Sequence, residues 1–77
     1  MKGLVEFMAK AMVDNPQQVE VTEIAGEHTL VIELKVAKED LGKIIGKKGR
    51  NVQAMRTILN AASGKLKKKV VLEIVDQ

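Results

Sequence analysis

Cysteine, tryptophan and tyrosine are absent from this 77-residue chain, and Phe7 is its one aromatic residue. Without cysteine there is neither a disulfide nor a thiolate metal site, and a reducing cytoplasm is the expected location. A single ring cannot build the stacking platform on which aromatic-rich nucleic-acid modules hold bases. No apolar run nears the ~20 residues of a membrane span, and the N-terminus lacks a signal-peptide layout. The lone histidine, His28, sits beside a glycine turn with no ligand spacing around it, so it reads as a turn residue. No nucleophile–base pair, metal cluster or Walker loop is present; catalysis, metal and cofactor are not expected.

The chain has 45% hydrophobic and 30% charged residues, the balance of an ordinary soluble domain. We expect one complete domain over residues 1–77, with a modest core, since chains this short bury little more than ~60% of their unfolded surface. The net charge of +3 is unevenly spread. Residues 1–40 carry four lysines against eight acids, a net −4, whereas residues 41–77 carry nine Lys or Arg against Glu73 and Asp76, a net +7. Such a split points to one basic face and a polyanionic partner, with solvated surface lysine as the plainer alternative.

Leu4, Val5, Phe7, Met8, Ala11 and Met12 recur at helical spacing, which predicts an amphipathic helix over 3–13, with Phe7 in the core and Asp14-Asn15-Pro16 as its stop. From Gln18 the period changes to two. Strands are predicted over 18–24 and 28–36 around Ala25-Gly26-Glu27, the second burying Leu30, Ile32, Leu34 and Val36. Lys38-Glu39-Asp40 opens a short helix with Leu41, Ile44 and Ile45 as its inner stripe. Gly46 ends it. A longer helix runs from Gly49 or Arg50 to Ala62, with Val52, Met55, Ile58, Leu59 and Ala62 inward, Gln53, Arg56 and Asn60 outward, and Ser63-Gly64 as terminator. Met8, Met12 and Met55 match core spacing. Lys65–Lys69 is a basic connector, read as a solubility device at a strand entry ahead of a wider electrostatic footprint, and Val70–Val75 is a β-branched strand. The order α-β-β-α-α-β implies a two-layer α+β sandwich, three strands with the helices on one face.

Between the two inner helices lies Gly46-Lys47-Lys48-Gly49, flanked by Lys43 and Arg50, with no acid from 43 to 50. A helix N-terminus exposes unpaired N–H groups and partial positive charge. Glycines let the backbone approach an anion closely, and lysines at the tip neutralise phosphates. Taken alone, G-x-x-G is a weak signal that a C-cap and a tight turn also explain. Its setting between apolar-striped helices, after a hairpin and before a strand, favours the phosphate reading.

Ile44-Ile45-Gly46-Lys47-Lys48-Gly49-Arg50-Asn51-Val52 matches without departure an aliphatic pair, G-x-x-G, two residues and an aliphatic. The chain thereby resembles a KH domain. Its leading α-β arm resembles the type II, bacterial form, and its length the small free-standing proteins of the KhpA kind. The resemblance implies an RNA-binding protein that clamps about four nucleotides of single-stranded RNA. Gly46, Lys47, Lys48 and Gly49 would meet phosphates and Lys43 and Arg50 would flank them, with Ile45 and parts of Leu41 and Val52 lining a base groove. It further implies an RNA chaperone or post-transcriptional regulator acting as a dimer, with itself or with another KH-domain protein. Ala54, Ala61 and Ala62 beside Ile58 are the expected face for that. The alternative is a protein-interaction scaffold on the same fold. A helix-turn-helix DNA binder fits less well, because three strands support the helix pair.

Overall fold

The structure, a computed structural model, describes residues 1–75. In chain order the elements are α1 (Lys2–Met12), β1 (Glu20–Ala25), β2 (Thr29–Lys35), α2 (Leu41–Ile45), α3 (Arg50–Leu66) and β3 (Lys69–Val75), with single 3₁₀ turns at Pro16–Gln18, Lys38–Asp40 and Lys47–Gly49. They form an α+β sandwich of three helices and a three-stranded mixed sheet, in the α-β-β-α-α-β order that the sequence implies.

β2 is the central strand. It pairs antiparallel with β1, Val21 opposite Leu34, and parallel with β3, Leu34 opposite Ile74. The first pairing needs only a tight turn, closed by the Gly26 N–H on the Thr29 carbonyl at 2.7 Å. The second needs a crossover, because parallel neighbours run the same way. That crossover is the α2–α3 pair. Alternation along β2 sends Leu30, Ile32 and Leu34 to the helical layer, where they meet Val5 and Ala9 of α1, Ile44 of α2, and Val52, Met55 and Leu59 of α3. Met8 and Met12 pack against the edge of this core.

Five expectations fail: three for exposed apolar residues, one for Arg56 and one for the end of α3. Phe7 is 74% exposed. It lies two residues from Val5, about 200° around a helix of 3.6 residues per turn, so the apolar stripe of α1 is wider than the face the core can take. Ile58 on α3 and Ile45 on α2 are likewise 47% and 42% exposed, each about 100° from the buried neighbour that follows or precedes it, Leu59 and Ile44. Arg56 does not point outward. It stands four residues after buried Val52, on the same flank, and its Nη2 donates to the Leu72 carbonyl at 3.2 Å. Finally, α3 continues through Ser63-Gly64 to Leu66. Its cap is Lys67, at φ 55° in the left-handed region that glycine commonly fills, with its N–H on the Ser63 carbonyl at 3.1 Å. The basic connector is therefore shared out: Lys65 lies in the last helical turn, Lys67 is the cap and Lys69 opens β3.

Candidate nucleic-acid interface

Helix α2 has to stop abruptly so that α3 can start in a new direction, and Gly46 makes that stop. Its N–H still bonds the Gly42 carbonyl at 2.8 Å, as in a continuing helix. Its own backbone then turns to φ 76°, ψ 172°, a region almost confined to glycine. The Gly46 carbonyl accepts the Gly49 N–H at 3.1 Å, closing a one-turn loop. Within that loop Lys48 (φ 57°, ψ 27°) and Gly49 (φ 73°, ψ 15°) are both left-handed. Glycine takes that conformation freely; lysine takes it at a cost of about 1 kcal/mol.

The turn leaves donors open. The N–H groups of Lys47 and Lys48 reach no carbonyl among the described residues. No side chain caps the N-terminus of α3. The side chains of Lys47, Lys48 and Arg50 are exposed and take part in no ion pair among the described residues. Two open amides, two ammonium groups, a guanidinium and the positive end of a 17-residue helix thus converge on one turn. Ile45 is exposed directly before it.

The other expected residues lie differently. Lys43 turns away from the loop and ion-pairs with Asp14, in the connector after α1. The hydrogen bond it donates to the Asp14 carboxylate holds the Lys43 ammonium above the usual lysine value, against the opposing effect of its partial desolvation. Val52 belongs to the core, and Leu41 is half-buried.

Two side chains outside the expected site residues shape it. Asn51, the second residue of α3, donates from Nδ2 to the Lys43 carbonyl at 2.8 Å. Asp40 is the one buried charged residue among those described, 1% exposed. It directly precedes α2, yet its carboxylate turns to α1's end and accepts the backbone N–H groups of Asp14 (3.2 Å) and Asn15 (3.0 Å) and the Asn15 amide (3.0 Å). Burial pushes this carboxyl up, but the bonds from Asn15 and Asp14 together outweigh it and hold the group below its ordinary 3.8. The clamp ties the end of α1 to the start of α2, and so locates the loop relative to the N-terminal arm. A hint was present in the sequence: Asp14-Asn15-Pro16 makes a sharp turn whose N–H groups need an acceptor.

Two grooves flank α3. One, of about 250 Å³, runs between α3 and the free edge of β3, lined by Arg56, Leu59, Asn60, Lys69, Val70 and Leu72. Lys69 donates to the His28 carbonyl, so β3 alternation turns the backbone groups of Val70 and Leu72 toward this groove. The other, of about 280 Å³, lies between α1 and α3 and is apolar, lined by Phe7, Met8, Ala11, Ala54, Met55 and Ile58.

Comparison with known proteins adds a family. A family model described as KhpA/KhpB, KH domain, matches residues 2–74. The chain is 57% identical over 75 residues to RNA-binding protein KhpA of Caldanaerobacter subterraneus subsp. tengcongensis, covering 97% of this chain and 100% of that protein. It is 53% identical, with the same coverage, to RNA-binding protein KhpA of Clostridium perfringens. To the protein of that name from Aquifex aeolicus it is 55% identical over 76 residues, 99% of this chain and 96% of the other. No solved structure matches the chain.

Proposed function

The chain belongs to the KhpA/KhpB family of KH domains, and from that premise we propose that it binds single-stranded RNA through the Gly46–Gly49 turn. The observation that carries this is the set of unengaged donors there: the Lys47 and Lys48 amides and the unpaired charges of Lys47, Lys48 and Arg50. Strain supports it. A left-handed lysine is a poor choice for stability, and such residues gather where function requires them.

About four nucleotides run past the turn, with two to four phosphates facing its donors. Bases lie against Ile45 and along the α3–β3 groove, where Leu59 and Val70 offer an aliphatic wall and Arg56, Asn60 and Lys69 offer polar groups. Lys43 joins as a flanking contact when it leaves Asp14. With no ring to stack on, affinity for one copy is modest and sequence preference limited. The protein acts in the cytoplasm as an RNA chaperone or post-transcriptional regulator; like its relatives' names, the reading involves no catalysis.

A second reading concerns partners and rests on the apolar α1–α3 groove with exposed Phe7 at its rim. This face holds a second copy or another KH-domain protein, and pairing two weak sites would raise avidity without new contacts.

The test is binding of short single-stranded RNA to the wild type and to Lys47→Asp/Lys48→Asp across a salt series. At roughly 0.7 per phosphate, two to four contacts predict a loss of about 7- to 50-fold between 50 and 200 mM salt. The double variant should keep its circular dichroism and lose binding. Equal binding by the variant would move the site to the lysines at 65–69. No binding by the wild type would leave the partner reading, checked by sedimentation of Phe7→Glu and Ile58→Glu.

A further inference from the structure

We infer that Asn51 is a positioning residue of the RNA-binding turn: its side-chain amide stands in for the Lys47 N–H and so frees that N–H for a phosphate. The inference rests on the turn being the RNA site.

In a continuing helix the Lys43 carbonyl would accept from Lys47, four residues on. Here the chain leaves the helix at Gly46, and Lys47 donates to no carbonyl among the described residues. A bare carbonyl at the end of α2 would draw that N–H back and extend the helix by one residue. Asn51 Nδ2 takes the position instead, at 2.8 Å. The same side chain also fills the space next to Gly46. A Cβ built on Gly46 would meet Asn51 Cγ at 2.6 Å and Nδ2 at 2.8 Å. Asn51 therefore holds the loop open in two ways, by satisfying the acceptor that would rewind it and by occupying the room into which it would collapse. It caps the preceding helix from within the following one, and makes no cap bond for its own helix.

The experiment measures short single-stranded RNA binding by wild type, Asn51→Leu, Asn51→Ala and Lys47→Asp/Lys48→Asp over a salt series, with amide hydrogen exchange on the free proteins. Leucine keeps the shape and removes the donor; alanine removes both. We expect Asn51→Leu to weaken binding by about two- to tenfold, the worth of one net hydrogen bond, with the salt slope unchanged because no charge is lost. In the free variant the Lys47 amide proton should gain protection. The lysine double variant should lose binding. Wild-type affinity in Asn51→Leu overturns the inference, and so does weakened binding with the Gly46–Gly49 amides unmoved, which would mean direct contact with RNA. Unimpaired binding by the lysine variant refutes the loop as the RNA site and thereby the premise. Should Asn51→Leu fail to fold by circular dichroism, Asn51→Ser is read by the same two criteria.

Discussion

Alanine at Gly46 should destabilise the protein by roughly three times as much as alanine at Gly49, although both glycines have positive φ and belong to one motif. At Gly49 (φ 73°, ψ 15°) an added Cβ meets nothing within 4 Å. Only the left-handed backbone is penalised there, at about 1 kcal/mol. At Gly46 two penalties combine. The backbone region (φ 76°, ψ 172°) costs about 1–3 kcal/mol for a residue with a side chain. The Cβ also falls 2.6–2.8 Å from Cβ, Cγ and Nδ2 of Asn51, so the turn must shift from α3 and the Nδ2 bond to the Lys43 carbonyl is given up, about 1 kcal/mol more. The total is about 3 kcal/mol, a large share of the roughly 4–12 kcal/mol that a domain of this length has. For a domain this size melting should fall by about 12–24 °C for Gly46→Ala and about 4–8 °C for Gly49→Ala. Urea and thermal unfolding followed by circular dichroism measure both. In an Asn51→Ala background the bond to the Lys43 carbonyl is already absent and only the Cβ contact at 2.8 Å remains, so Gly46→Ala should cost about 1 kcal/mol less than in the wild type. Equal losses at the two glycines, or no coupling to Asn51, would refute the reasoning.

Lys48→Gly should raise stability by up to about 1 kcal/mol, by relieving the left-handed lysine, while lowering the RNA salt slope by about 0.7; an unchanged melting temperature would show that Lys48 is unstrained, and an unchanged slope that it meets no phosphate. Lys67→Gly relieves the same strain at the α3 cap, far from the turn, and should raise the melting temperature by about 4–8 °C with RNA binding intact. Asp40 makes stability depend on acid. Its folded carboxyl titrates below the unfolded one, so its contribution is complete above the unfolded value near 3.8 and is lost as pH falls through the lower folded value. The urea midpoint of the wild type should therefore drop in that window more steeply than that of Asp40→Asn, which is weaker at neutral pH.

Periodicity located every α-helix and strand to within a few residues, because the core face of β2 and the inner stripe of α3 are written in spacings that tertiary packing respects. It erred where apolar residues outnumber the places available to them: Phe7, Ile45 and Ile58 carry the right composition at the wrong angle. Arg56 shows the converse, a charge assigned to solvent although its distance from Val52 sets it beside the core. Ser63-Gly64 has terminator composition, yet α3 continues through it, and the left-handed cap falls on a lysine that no propensity marks. The turn itself was legible, since two glycines and two lysines between helices admit few geometries. Its supports were not. The partner of Asp40 is 25 residues away in sequence, and Asn51 acts on a carbonyl of the helix before its own. Both are long- or cross-element bonds, which local pattern does not record.

The parallel pairing of β2 with β3 has a kinetic side. The β1–β2 hairpin is local and closes through a short turn, whereas Ile32 meets Leu72 only after a segment of some forty residues has been looped back. That segment contains the entire Gly46–Gly49 turn. The hairpin can assemble with the turn still unformed, but β3 cannot dock until α2 and α3 have reversed the chain through it. Pulse-labelled exchange should accordingly find the amides of β1 protected before those of β3, and simultaneous protection would contradict this order. The Gly46–Gly49 turn is thus the hinge of the slowest closure in the molecule. A chain whose last strand is in register has, by that fact, already built this turn.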